Sequence, residues 1–238
     1  MNRLVPALRR LTFRVWSSLI RKSVTRRDPC RLFGLDLIID PGVLHPRHFA
    51  SSRILARHLM GLDLSGRSVA DVGTGSGLLG LLAARAGAQA TMVDINPAAV
   101  ACAFGNAARN GLGERVSVIR SDVFDGLPEG RQFDFVITNP PFYTRDASSD
   151  ADRAFAAGTG NTFFAKLAEG LPGRLTGAGV LVLIQSSDAD FEPVSGALEA
   201  RGLRGRVAGR RRGLFETLTI REFARPESRA REPRRIEA

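Results

Sequence analysis

The stretch Asp71-Val72-Gly73-Thr74-Gly75-Ser76-Gly77 closes a short apolar run and opens a helical one. Glycine has no Cβ and tolerates positive φ, so a turn of this composition lets the backbone pass close beneath a ligand. Asp94 closes the next apolar run and can accept hydrogen bonds from two ribose hydroxyls, which implies a nucleotide-like ligand. Gly75-x-Gly77-x-x-Gly80 also satisfies the dinucleotide fingerprint. On the turn alone, a nicotinamide enzyme and a tight turn without a ligand both stand beside that reading. Asn139-Pro140-Pro141-Phe142 follows a continuous apolar run: two prolines stiffen a loop that presents one amide and one aromatic face. His45-x-x-His48 has the spacing of a metal pair, but no third ligand is spaced nearby, and the metal set is read as none. Cys30 and Cys102 make neither a disulfide scaffold nor a four-cysteine site, and Cys102 reads as a small buried residue in an alanine-rich helix.

These residues need elements to hold them. Strand-like runs are read at Leu32–Asp40, Ser68–Val72, Gln89–Asp94, Val116–Ile119, Phe133–Thr138, Gly179–Gln185, Leu203–Val207 and Leu214–Glu222. Helical patterns lie between them at Ser51–Met60 with Ser51 or Ser52 as cap, Leu78–Ala86, Ala98–Arg109 with Pro97 in its first turn, Thr162–Leu171 and Phe191–Ala200. Such alternation predicts an α/β, doubly wound, mostly parallel sheet with helices on both faces. In that architecture ligands bind beyond the carboxyl ends of the strands. Asp71–Gly77, Asp94, Asp122 and Asn139 all fall at such ends.

Composition narrows the classes. With 238 residues and 44% hydrophobic positions, the chain is long enough for one sizeable core, and no apolar run approaches the roughly 20 residues of a membrane-spanning helix. A cytoplasmic protein is expected. Its net charge of +10 is uneven. Residues 1–31 and 201–238 carry +8 and +7, whereas the middle carries −5. The domain organisation read from this is a basic amphipathic N-terminal extension (1–31), a catalytic domain (32–223) and a disordered basic tail (224–238). Leu4, Leu8, Leu11, Val15 and Leu19 form the apolar stripe of the first segment. Basic ends can neutralise phosphates, so RNA contact through them is an expected interaction.

Taken in order, Asp-x-Gly-x-Gly-x-Gly at 71–77, the acid at Asp94, Ser121-Asp122-Val123 and Asn139-Pro140-Pro141-Phe142 resemble the class I S-adenosylmethionine-dependent methyltransferases with an Asn-Pro-Pro-aromatic signature. The resemblance covers about residues 36–222 and is nearest to the release-factor glutamine methyltransferase relatives and their methyltransferase small domain cousins. Pro41–Arg47, Asn106–Gly111 and Ala156–Gly160 support it. It implies a seven-stranded, Rossmann-like sheet with an antiparallel last strand, and S-adenosyl-L-methionine as cofactor, released as S-adenosyl-L-homocysteine. It implies that Gly73, Gly75 and Gly77 pass under the methionine part, with Thr74 in the same turn, and that Asp71 helps fix the amino-acid end. Asp94 and Ile95 would hold the ribose side, and Asp122 with Val123 would flank the adenine. Asn139, Pro140 and Phe142 would be catalytic, with Asn139 also bordering the cofactor.

A planar amide or exocyclic amine nitrogen has a delocalised lone pair and is a poor nucleophile. Carbonyl groups of Asn139 and Pro140 can accept both of its N–H hydrogens and turn the lone pair toward a sulfonium methyl, which is alignment plus electrostatic preorganisation. Phe142 offers a face for stacking. The expected activity is N-methylation of such a nitrogen in a macromolecule, protein glutamine by resemblance. A nucleobase in RNA or DNA, a small molecule, and a cofactor-binding scaffold without turnover are the alternatives. His48-Phe49-Ala50 departs from the Pro-Asp-Thr usual in the release-factor enzymes, and about thirty residues precede the first strand where those enzymes have a long helical domain.

Overall fold

A computed structural model describes residues 26–141, 162–189, 191–213 and 216–226. The stripe from Leu4 to Leu19, Phe142, the stretch Ala156–Gly160 and most of the basic tail lie outside the described residues. The chain opens with a hairpin, β1 (Asp28–Leu32) and β2 (Leu35–Ile39), paired antiparallel from Asp28↔Ile39 to Leu32↔Leu35. The single strand read over Leu32–Asp40 is therefore the second half of a ribbon. Its two-residue turn holds Phe33 and Gly34 at φ 50 and 75. Positive φ at both turn positions matches the twist of the flanking strands, and an apolar Phe-Gly pair gives a weak turn signal.

Helix α1 (Ala50–Met60) leads into β3 (Ser68–Val72), α2 (Leu78–Arg85), β4 (Gln89–Asp94), α3 (Pro97–Arg109), β5 (Val116–Arg120) and β6 (Phe133–Thr138). After the undescribed stretch follow α4 (Thr162–Arg174), β7 (Leu175–Ser186), α5 (Glu192–Glu199), β8 (Arg204–Arg212) and β9 (Thr217–Ala224). The seven-stranded sheet runs β5-β4-β3-β6-β7-β9-β8. Only β9 opposes its neighbours, β7 and β8, so six strands end at one edge.

Local chemistry accounts for the boundaries. Asn96 caps α3 by accepting from the Ala98 N–H at 2.9 Å, with Pro97 in the first turn. Neither serine caps α1: its N-cap is Phe49, without a side-chain hydrogen bond. Strand β7 starts four residues before the run that reads as apolar, across Gly177 and Gly179. A Cβ on Gly179 would lie 2.7 Å from the Phe133 carbonyl oxygen, so a glycine that looks like a break permits close approach beside the β6 register shift. Strand β8 extends to Arg212, beyond the expected end at Val207, because an edge strand needs no continuous apolar face.

Two cores flank the sheet. On one side the hairpin, α1, α2 and α3 bury Leu35, Leu37, Leu55, Leu81, Met92 and Ile137. On the other, α4 and α5 bury Phe124, Phe133, Phe164, Leu171, Phe191 and Phe223. Asn106 stitches the first layer together: its amide donates to the Ile38 and Ser76 carbonyls at 3.0 and 2.9 Å and accepts from the Ile38 N–H at 2.7 Å. Asn110 repeats the device one turn later, on both backbone groups of Asp36. The hairpin is thereby fixed to the turn that follows β3.

Candidate active site

The turn after β3 is organised by Asp71. Its Oδ2 accepts from Thr74 Oγ1 at 2.6 Å and from the Gly80 N–H at 2.9 Å. The backbone N–H groups of Gly73 and Thr74 both donate to the Val93 carbonyl, at 2.9 and 3.0 Å. Gly73 and Gly75 have φ values of 74 and 55, and a Cβ on either would meet nothing within 4 Å. Their conformation favours glycine, and open space lies above them. Gly77, at φ 86, packs instead on α3, where a Cβ would sit 3.3 Å from Ala103.

Asp71 is 1% exposed, and its Oδ1 has no hydrogen-bond partner among the described residues. Burial pushes its carboxyl up to about 6, against the hydrogen bonds from Thr74 and Gly80 that favour the charged form. A half-satisfied buried carboxylate of this kind suits a ligand carrying positive charge. Asp94 differs. Its Oδ2 accepts from the Gly75 N–H and its Oδ1 from the Asn96 N–H, both at 2.9 Å. Burial also raises its pKa, while those two N–H groups and that of Ile95 oppose the shift. A carboxylate has about four acceptor positions, so capacity is left over for a hydroxyl donor. Asn96 Nδ2 also donates to the Gly42 carbonyl at 3.0 Å, tying the segment that leads to His45 to the end of β4.

After β5, Val123 is buried with φ 55, a strained value for a β-branched residue. Ser121 holds this bend by donating to the Val123 carbonyl at 3.0 Å and accepting from the Gly126 N–H at 2.9 Å. Lys166 of α4 hydrogen-bonds Asp122 and reaches Asp125 at 2.8 Å, and those carboxylates push its pKa upward. Sequence reading missed Lys166, because a partner 44 residues away leaves no local pattern.

At the end of β6, Asn139 Nδ2 donates to Ser52 Oγ of α1 at 3.0 Å. That bond leaves the amide oxygen as the free end. Oδ1 is buried and has no partner among the described residues. Pro140 is buried beside it. Ser52, read as a helix cap, thus orients the asparagine. Asp71, Gly73, Thr74, Gly75, Asp94, Ile95, Asp122, Val123, Asn139 and Pro140 all occupy the same carboxyl edge of the sheet.

His45, His48 and Asp28 bring ligand atoms within 4.8 Å of one another, so the third group that sequence spacing lacks arrives from β1. His45 is buried, its Nδ1 accepts from the Arg47 N–H at 3.2 Å, and its Nε2 lies 3.3 Å from Asp28 Oδ2. Burial lowers its pKa, and His48 adds to the effect. The tautomer selected by this pairing carries its proton on Nε2 toward Asp28 and uses Nδ1 as acceptor.

A family model described as methyltransferase small domain matches residues 35–191. A Methanocaldococcus jannaschii protein named "Putative protein N5-glutamine methyltransferase" is 29% identical over 193 residues, covering 79% of this chain and 94% of that relative. A release factor glutamine methyltransferase of Bordetella pertussis is 34% identical over 155 residues, covering 59% of this chain and 56% of the relative. Among solved structures, the T. thermophilus 16S rRNA N2 G1207 methyltransferase in complex with AdoMet and guanosine superposes with a TM-score of 0.59 at 27% identity, over 84% of this chain and 50% of that one. The chain thus spans nearly all of the archaeal relative and about half of the other two.

Proposed function

Because the chain belongs to the methyltransferase small domain family, a branch of the class I S-adenosylmethionine-dependent methyltransferases, we propose that it methylates a planar amide nitrogen, that of a protein glutamine. The observation that carries this reading is the Asn139 amide, locked by Ser52 with its buried oxygen lacking a partner among the described residues. An acceptor amide entering here can donate one N–H to Asn139 Oδ1 and the other to the Pro140 carbonyl. With both N–H groups held, the face of the nitrogen that carries the lone pair is turned toward the turn at Gly73–Gly75, and the proton that methylation displaces leaves to water. Both hydrogen bonds strengthen as the nitrogen becomes positive, so they stabilise the transition state more than the bound amide.

S-adenosylmethionine, when bound, supplies the electrophilic sulfonium methyl. The described residues fit it: open space over Gly73 and Gly75, spare acceptor capacity on Asp94, and an unpartnered Asp71 oxygen for the cationic end. Thr74 and Ile95 contribute through the turn and the end of β4, and Asp122 with Val123 shapes the adenine side. Phe142 completes the proposal as a stacking face. Two relatives named as glutamine methyltransferases support the protein acceptor. The rRNA enzyme and the basic ends favour a nucleobase amino group as the second reading, with RNA contact through residues 1–31 and 201–238. No helix among the described residues is long and apolar enough to cross a membrane, and a cytoplasmic site of action is part of the proposal.

The test is transfer of tritiated methyl into a lysate separated into protein, RNA, DNA and small molecules. Label in protein, recovered as N5-methylglutamine, is the expected outcome. Label confined to RNA overturns the protein reading in favour of the nucleobase. Tight S-adenosylhomocysteine binding with no label in any fraction leaves a scaffold.

A further inference from the structure

Strand β8 has the sequence Arg-Gly-Arg-Val-Ala-Gly-Arg-Arg-Arg. Arginines on an edge strand commonly serve to block edge-to-edge pairing, and for that purpose they work best when spread along it. Here the middle of the strand, Val207-Ala208-Gly209, carries no charge; Arg204 stands exposed at the amino end, and three consecutive arginines gather at the carboxyl end. Arg206, within the strand, is engaged by the buried Glu222 at 2.5 Å. Arg210, Arg211 and Arg212 are exposed, and none of them has an ion-pair partner among the described residues. Glu216, the nearest described acid in sequence, is turned onto the Ser186 hydroxyl.

The sheet register fixes where that end lies. Thr138 pairs with Leu183, Gln185 with Thr219, and Thr219 with Arg210. Two residues beyond Thr138, Pro140 is therefore level with Gln185 and with Arg210. Strand β8 runs parallel to β6 with β7 and β9 between them, so the arginine row stands about 14 Å to the side of the Asn139 loop, at three strand spacings. Successive side chains alternate between faces, so the row offers cations to both sides of the edge.

We propose that Arg210, Arg211 and Arg212 form a phosphate-binding rail that docks single-stranded RNA beside the acceptor site. The rail depends on the methyl-transfer reading only for what lies next to it: the RNA either carries the acceptor base or belongs to the particle that presents the acceptor protein. Guanidinium groups suit this task because each offers a planar fork of donors to phosphate oxygens.

The experiment measures binding of a fluorescent polyuridine oligonucleotide to the full chain across a salt series. One variant carries R210Q, R211Q and R212Q together. The other removes the same charge at the opposite edge, with R67Q, R115Q and R201Q, which precede β3, β5 and β8 and are exposed. Three single-strand contacts contribute a salt slope of about −2, so the carboxyl-edge variant should lose a slope of about 2 and roughly 100-fold affinity at about 0.1 M salt. The control variant should lose much less. Equal losses in both variants, no binding by the full chain at low salt, or displacement of the RNA by polyglutamate at equal charge concentration would overturn the rail. S-adenosylhomocysteine affinity is measured on the same proteins and should be unchanged, which also shows that each variant is folded. Failure of the wild-type chain to transfer methyl to any fraction would defeat the enzymatic reading and leave this RNA measurement intact.

Discussion

The two halves of the sheet meet at Asp71 and Asn139 but are finished to different degrees. In β3, β4 and β5, the polar groups of the edge are largely consumed by the protein itself. Asp94 accepts two backbone N–H groups, Asp122 is held by Lys166, and Ser121 pins the bend at Val123. In β6, by contrast, neither the buried Asn139 oxygen nor the neighbouring Thr138 Oγ1 has a partner among the described residues. Leaving a buried acceptor unsatisfied costs about 1–3 kcal/mol. Such a group in a native fold calls for an explanation, and a catalytic role is one. On the proposed reading, the first half would hold the cofactor in a rigid cradle, and the second would accept hydrogen bonds from the methyl acceptor.

The sharpest way to break that contrast is Asn139→Ala. Losing one transition-state hydrogen-bond partner should lower turnover on the identified acceptor by about 10²–10³-fold, while S-adenosylhomocysteine affinity stays near wild type by calorimetry. Loss of cofactor binding instead would place Asn139 in the cradle half. Asp94→Ala should act the other way round. The missing charge-assisted bonds should weaken S-adenosylhomocysteine by about 1.5–3 kcal/mol, or roughly 10–200-fold. Because the Gly75 and Asn96 N–H groups lose their acceptor at the same time, the thermal midpoint should fall too. Unchanged affinity in a folded Asp94→Ala protein would remove that residue from the site.

The same division governs what could be read beforehand. Ser68–Val72, Gln89–Asp94 and Phe133–Thr138 match the expected strands to the residue, because each is a short apolar run closed by a turn or a charge. With those strands placed, the glycine turn, Asp94 and Asn139 could only reach one edge. What stayed hidden depends on partners distant in the chain. Ser52 looks like a cap and instead orients Asn139, 87 positions away. Asn106, legible only as part of the stretch that carries the resemblance, ties β2 to the glycine turn. The β7 start was masked by Gly177 and Gly179, whose absence of side chains marks close packing in one context and a break in another. Helix α4 likewise runs past Leu171 to Arg174, through Pro172 in its last turn.

Asp71 offers the finest comparison, since it is in the cradle half but shares the unfinished character of Asn139. Its carboxyl, raised to about 6 by burial, is largely protonated at pH 5 and ionised at pH 7. A raised folded pKa means that the contribution of this group to stability is fully present below its ordinary carboxylate value and is lost as pH rises through about 6. The free protein should therefore be less stable on this account at pH 7 than at pH 4. A ligand bringing an ammonium group near Oδ1 favours the charged form and reverses the sign for binding. S-adenosylhomocysteine affinity should rise by about tenfold between pH 5 and pH 7, the fraction of ionised carboxylate being the limit, with release of a proton on binding. Calorimetry in buffers of different ionisation enthalpy reads that proton directly. Asp71→Asn should bind more weakly at pH 7 and show a flat profile. A wild-type profile that is already flat would mean that Asp71 only braces Thr74 and Gly80, and that the cationic end of the cofactor is held elsewhere.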